Sequence, residues 1–136
     1  MTEYFISKAT EFSRDLELDK NTADIPFLKK TMEFLDEEVK ETRDAIEIFG
    51  KSGQELEEIV DGFGDVAFIA LNGIYKTFRM LGRDHDTATA MVSEVMHRIC
   101  NANLGKKQPD GSVKYNNGKV IKPEGWTAPG YEDLVA

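Results

Sequence analysis

Two acidic clusters stand close together in this chain: Glu37, Glu38 and Glu41 in LDEEVKET, then Glu58, Asp61 and Asp65 in EEIVDGFGD. Carboxylates gathered in this way, with no histidine or cysteine pattern beside them, favour hard cations such as Mg²⁺, with Mn²⁺ as a substitute. Magnesium held by carboxylates keeps positions open for water and substrate phosphate. The clusters therefore point to phosphate chemistry.

The elements that must position these acids read as helices. Residues from about Thr2 to Leu18 carry Phe5, Ile6, Ala9 and Phe12 at helical spacing. After a polar link, DKNTADIP, Asp24 is a cap and Pro26 fits the first turn of a second helix ending at Gly50. Its seam, Leu28, Met32, Leu35, Val39, Thr42, Ile46 and Phe49, alternates steps of four and three, as in a helical bundle. A third helix is expected over Glu55–Leu81, stopping at Gly82, and a fourth from an Asp86 cap. Past Gly105 the helical pattern ends. Turn signals at Pro109-Asp110-Gly111 and Asn116-Asn117-Gly118 predict a hairpin.

Position on the helix separates these acids from ordinary surface charge. At ~100° per residue, Lys29, Glu33, Asp36, Lys40, Arg43, Asp44 and Glu47 share the solvated flank of the second helix. Glu38 and Glu41 fall on the opposite flank, among Phe34, Ala45 and Ile48, and Glu37 lies between. On the third helix Glu58, Asp61, Asp65, Asn72, Lys76 and Arg79 form one polar stripe in an otherwise apolar segment. Charge inside an apolar surface is costly unless paired or metal-bound, so the stripe predicts a site. Gly62 and Gly64 each weaken the helix and predict a close approach beside Asp61 and Asp65.

Composition narrows the class. A chain of 136 residues fits one domain, here a helical bundle over 1–104 and a tail over 105–136. A net charge of −8 argues against non-specific nucleic-acid binding. Cys100, the single cysteine, excludes an internal disulfide framework and is expected in the core. The N-terminus lacks the apolar core of a signal peptide, and the run VAFIAL is too short to span a membrane. The expectation is a cytoplasmic protein of all-α class, a four-to-five-helix antiparallel bundle completed by oligomerisation, with a non-helical C-terminal tail.

Glu37-Glu38-x-x-Glu41, followed about twenty residues later by an acidic helix ending DVAFIALNG, resembles the all-α nucleoside triphosphate pyrophosphohydrolases. That superfamily includes MazG-like enzymes, phosphoribosyl-ATP pyrophosphohydrolases and all-α dUTPases and dCTPases. The EExxE half of its signature matches fully. The second half departs, because Gly62 stands three residues before Asp65, leaving Glu58, Asp61 and Asp65 as alternative acids. EVMHRICNANLGKK and DGSVKYNNGKVIKPEGW look like the C-terminal region of the phosphoribosyl-ATP-pyrophosphohydrolase-like branch, so the likeness covers nearly the whole chain.

The resemblance implies Mg²⁺-dependent hydrolysis of a ribo- or deoxyribonucleoside triphosphate between its α and β phosphates; the small bundle adds the expectation of a homodimer or homotetramer. The resemblance also implies metal binding by Glu37, Glu38, Glu41, Glu58, Asp61 and Asp65, and a general base at Glu38 or Glu41. Asn72, Lys76 and Arg79 would contact substrate, and the tail motifs add Asn103, Lys106, Lys122 and Trp126. Two alternatives accompany this reading: hydrolysis of phosphoribosyl-ATP, and a non-catalytic helical interaction module.

The tail reverses the local charge, with Lys106, Lys107, Lys114, Lys119 and Lys122 against Asp110. It reads either as a lid over polyphosphate or as a solvated loop. Trp126, the sole tryptophan, reads as a base-stacking group or as a pin for the tail. Glu94-x-x-His97 is half of a di-iron pattern, which needs a second such motif that this chain lacks. His85 is placed to cap the fourth helix.

Overall fold

The computed structural model describes residues 2–17 and 24–136. Leu18 and most of the expected polar link lie outside them. Helix α1 (Thr2–Phe12) continues into a π-helical turn, Ser13–Glu17; α2 spans Ile25–Ser52, α3 Leu56–Met80 and α4 His85–Leu104. A two-stranded hairpin, β1 (Tyr115–Asn116) and β2 (Lys119–Val120), and a one-turn helix, α5 (Glu132–Val135), follow. The class is all-α, as expected. No helix among the described residues is long and apolar enough to cross a membrane.

Helix boundaries follow local chemistry. Asp24, in extended backbone, accepts the Phe27 N–H at 2.9 Å, and Pro26 sits in the first turn. Helix α2 runs through Gly50 and ends instead at Gly53, whose left-handed φ of 72° lets its N–H reach the Phe49 carbonyl. A glycine inside a helix costs about 1 kcal/mol relative to alanine, too little to stop one that keeps its backbone ladder. Helix α4 is capped by Asp84, which accepts the Thr87 N–H at 2.8 Å, rather than by Asp86 or His85.

The chain divides into two compact units, Met1–Val92 and Ser93–Ala136, the boundary falling inside α4. In the first, α2 and α3 form an antiparallel pair joined by a tight link. Thr42 meets Gly62 and Thr31 meets Gly73, so the register runs in opposite senses along the two helices. Helix α1 and the π turn lie along α3 through Phe12 on Phe68 and Ser13 on Asn72. The core is small and includes Ile6, Ala9, Leu71, Tyr75, Phe78 and Val92. The expected α2 seam is buried at Thr42 and partly covered at Leu28, Leu35 and Val39, but Met32, Ile46 and Phe49 are exposed.

The second unit is organised around the latter part of α4. Tyr115 pairs with Val120 and Asn116 with Lys119, with Asn117 and Gly118 both at positive φ. That is the mirror-image turn favoured by Asn-Gly. The tail is not wholly non-helical: α5 is held by Arg98, whose guanidinium grips Asp133 through two 2.8 Å bonds and donates to the Gly130 carbonyl. Cys100 is exposed rather than in the core. Burial in this stretch goes to Val95, five residues earlier and about 140° round the helix.

Candidate functional site

Helix α2 brings Glu37 and Glu38, and α3 brings Asp65, Asn72 and Lys76, to one cleft of about 310 Å³. Its aromatic walls are Phe12, Phe34 and Phe68, and Glu17 of the π turn closes the end beside Lys76. The wheel positions of the acids explain this. Glu38 lies on the flank of α2 that turns toward α3, one turn before Thr42, and Thr42 lies against Gly62.

The acids act on one another. Burial, and then repulsion from Glu41, Asp65, Asp61 and Glu37, push the Glu38 carboxyl above its ordinary range. A partly buried carboxylate surrounded by four others is unfavourable unless protonated or matched by a cation. The all-oxygen donor set suits a hard divalent ion. Among the described residues no three such side chains converge on one point, so the donors stand round the cleft rather than closed on a centre. Donor type and charge at the cleft are those that a hard divalent cation would require, and such an ion would relieve the repulsion at Glu38.

The polar stripe on α3 splits in two. Asn72 and Lys76, each 2% exposed, belong to the cleft. Lys76 Nζ donates to Glu17 Oε2 and to Thr31 Oγ1, each at 2.9 Å, and lies over the Phe27 ring. Asn72 Oδ1 accepts from Ser13 Oγ, and Nδ2 donates to the Phe68 carbonyl. Arg79 turns away, donating to Tyr75 Oη at 3.0 Å, and Tyr75 meets His85 Nδ1 at 2.8 Å. Where His85 Nδ1 carries no proton, the Tyr75 hydroxyl donates to it while accepting from Arg79. Burial, then the nearby Arg14 charge, lower the His85 pKa, while burial raises that of Tyr75.

The chain matches no protein-family model, no curated protein and no solved structure.

The remaining sequence candidates fall elsewhere. Glu58 and Asp61 border a separate surface depression with Leu56, Glu57 and Val60. Glu41 and Asp61 nevertheless act on Glu38 through charge. In the second unit Asn103, Lys106, Lys122 and Trp126 gather round one another: both ammonium groups lie over the indole, and Lys106 donates to Asn103 Oδ1. Trp126 Nε1 donates to the Ala102 carbonyl at 2.7 Å, which pins the tail to α4. Of the half di-iron pattern, Glu94 pairs with Arg98 and His97 with Asn101.

Sequence reasoning missed Ser13, Glu17 and Thr31, which surround the inner end of the cleft. The available signal was Lys76 itself, a cation in an apolar helix that required a counter-charge. Which acid would supply it depends on α1 lying beside α3, and spacing alone does not give that. The close approach at Gly62 is confirmed, since a Cβ there would overlap Thr42 Oγ1. At Gly64 nothing lies within 4 Å, so no close neighbour is present there.

Proposed function

We propose that this chain is a Mg²⁺-dependent nucleoside triphosphate pyrophosphohydrolase, producing a nucleoside monophosphate and pyrophosphate. One observation carries the reading: carboxylates from two helices share a cleft with an aromatic and amide-bearing end. Such a cleft has one end suited to a metal-bound polyphosphate and another suited to a base.

Glu37, Glu38 and Asp65 would hold the ion, with Glu41 and Asp61 adding negative field. Bound there, Mg²⁺ would supply charge neutralisation for the triphosphate, polarisation of phosphorus and a more acidic water. The chain's own groups do the rest. Glu38, or Glu41 three residues on, would accept a proton from the water that attacks the α-phosphorus. The bond to the bridging oxygen breaks, and pyrophosphate leaves. Phe12, Phe34 and Phe68 would offer apolar surface to the base.

The exposed Met32, Ile46, Phe49 and Phe63 support the further proposal that a second copy covers this face of α2 and α3. The test of the site is substitution. Glu38→Ala and Asp65→Ala should each abolish turnover while leaving the helical circular-dichroism signal intact. Full activity in both variants would overturn the assignment.

A further inference from the structure

The base end of the cleft has more hydrogen-bond acceptors than protons to serve them. Ser13 is fully buried, and its hydroxyl faces both Asn72 Oδ1 and, at 2.9 Å, Glu17 Oε1. A hydroxyl has one proton, so among the described residues one of these two oxygens lacks a side-chain donor. Asn72 cannot resolve the conflict by flipping, because its Nδ2 is committed to the Phe68 carbonyl at 3.0 Å. Lys76 does not resolve it either. Its ammonium serves Glu17 Oε2 and Thr31 Oγ1 and rests on the Phe27 ring. Asn72 and Glu17 both line the cleft, so the unmet acceptor borders the space a ligand would fill.

Aromatic surface surrounds this polar end. Phe12 and Phe68 meet edge to face at 5.2 Å, and Phe34 contributes a third ring. Asn72 keeps a second N–H beyond the one given to Phe68. The pattern offered is therefore a surplus acceptor beside a spare amide donor, next to faces on which a flat ring can stack. Cytosine complements it, with an exocyclic amino group beside an acceptor ring nitrogen. Uracil and thymine reverse both groups, setting a carbonyl against a carboxylate. The base end is only part of a cleft of about 310 Å³, already at the small end of ligand pockets, which favours one ring over two.

We infer that this cleft selects nucleotides whose base carries an exocyclic amino group, cytosine first, through Glu17 and Asn72. The inference rests on the nucleotide reading above and names the substrate class within it. Glu17 is then a specificity-determining residue supplied by the π turn, in keeping with the frequent use of π geometry at functional sites.

The test compares kcat/KM for dCTP, dATP, dUTP, dTTP and dGTP with Mg²⁺, and in parallel the affinities of dCMP and dUMP by titration calorimetry. The expected result is dCTP ahead of dUTP by about tenfold or more, with dCMP bound more tightly than dUMP. Glu17→Gln, which keeps an acceptor for Lys76, should bring the two triphosphates within about threefold of each other. Hydrolysis of every nucleotide at similar rates, or dUTP leading, would overturn the selectivity and leave the pyrophosphohydrolase reading standing. dATP leading with dUTP slow would support amino recognition and overturn the size argument. If no nucleotide is hydrolysed, the functional reading fails and the monophosphate affinities decide alone: tighter dCMP supports the selectivity, and equal or absent binding overturns it. The wild-type comparisons need no variant, so they hold even if Glu17→Gln does not fold.

Discussion

Gly62 lies directly against Thr42, so close that a single added carbon on α3 would overlap the threonine hydroxyl on α2. This contact sets how near the two acid-bearing helices approach. It also explains why the position three residues before Asp65 holds no acid: an aspartate or glutamate there would have to displace Thr42. On α3 the acids that act on Glu38 are instead Asp61 and Asp65, on either side of the glycine, adding to burial and to Glu41 and Glu37 of α2.

Gly62→Ala should therefore destabilise the protein, by roughly 1–3 kcal/mol for overpacking at a tight interface. The intrinsic helix preference of alanine, worth about 1 kcal/mol, works in the opposite direction and makes the loss diagnostic. Adding Thr42→Ala should restore part of it. Urea denaturation of the two variants checks both signs, and a Gly62→Ala protein more stable than wild type would refute the close contact.

The Lys76–Glu17 pair predicts a second asymmetry. Lys76 is 2% exposed and Glu17 18%, so removing the acid strands a buried cation. Glu17→Ala should cost roughly 2–3 kcal/mol, somewhat below the loss for a fully buried pair. The double variant Glu17→Ala/Lys76→Met should be closer to wild type than the single one, because it removes the orphaned charge. Equal losses for the single and double variants would contradict this.

Glu38 ties metal affinity to pH. Its carboxyl is raised above the ordinary 4.5 by burial and by its acidic neighbours. The folded protein thus holds this proton more tightly than the unfolded chain does. Stability contributed by Glu38 is greatest below 4.5 and is lost as pH rises through the raised value. Glu38→Gln should accordingly raise the melting temperature of the metal-free protein at neutral pH by about 1–3 °C, like-charge contacts costing a few tenths of a kcal/mol each. Mg²⁺ should bind the wild type with proton release and weaken as pH falls toward the Glu38 value. Calorimetry in buffers of different ionisation enthalpy measures that proton.

His85 has the opposite sign. Burial and Arg14 lower its pKa from the usual 6.5, so the unfolded chain takes up the proton first. The stability it contributes is complete above 6.5 and is lost as pH falls below that value toward the lowered one. Protonation would also set an N–H against Tyr75 Oη, which already accepts from Arg79. The melting temperature of the wild type should drop as pH falls below 6.5, and His85→Gln should flatten that drop.

Local signals made the helices legible: the Asp24 cap, the Asn-Gly turn and the solvated flank from Lys29 to Glu47 all stand as the sequence indicated. The inward flank of α2 was also readable, because Glu38 interrupts an apolar face. What the sequence could not give were relations across the fold. Arg79 shares a stripe with Lys76 by periodicity, yet it turns to Tyr75, one helical turn back on α3. Glu17 carries no local mark of its partner, since the pair spans 59 positions of sequence. Cys100 sits at an apolar spacing, but the neighbouring residues leave it exposed.

Identifying the products formed from nucleoside triphosphates with Mg²⁺ and with EDTA tests the proposed activity. Monophosphate and pyrophosphate should form in equal amounts with Mg²⁺, and neither with EDTA. Diphosphate with orthophosphate, or no Mg²⁺-dependent turnover of any nucleotide, would contradict it.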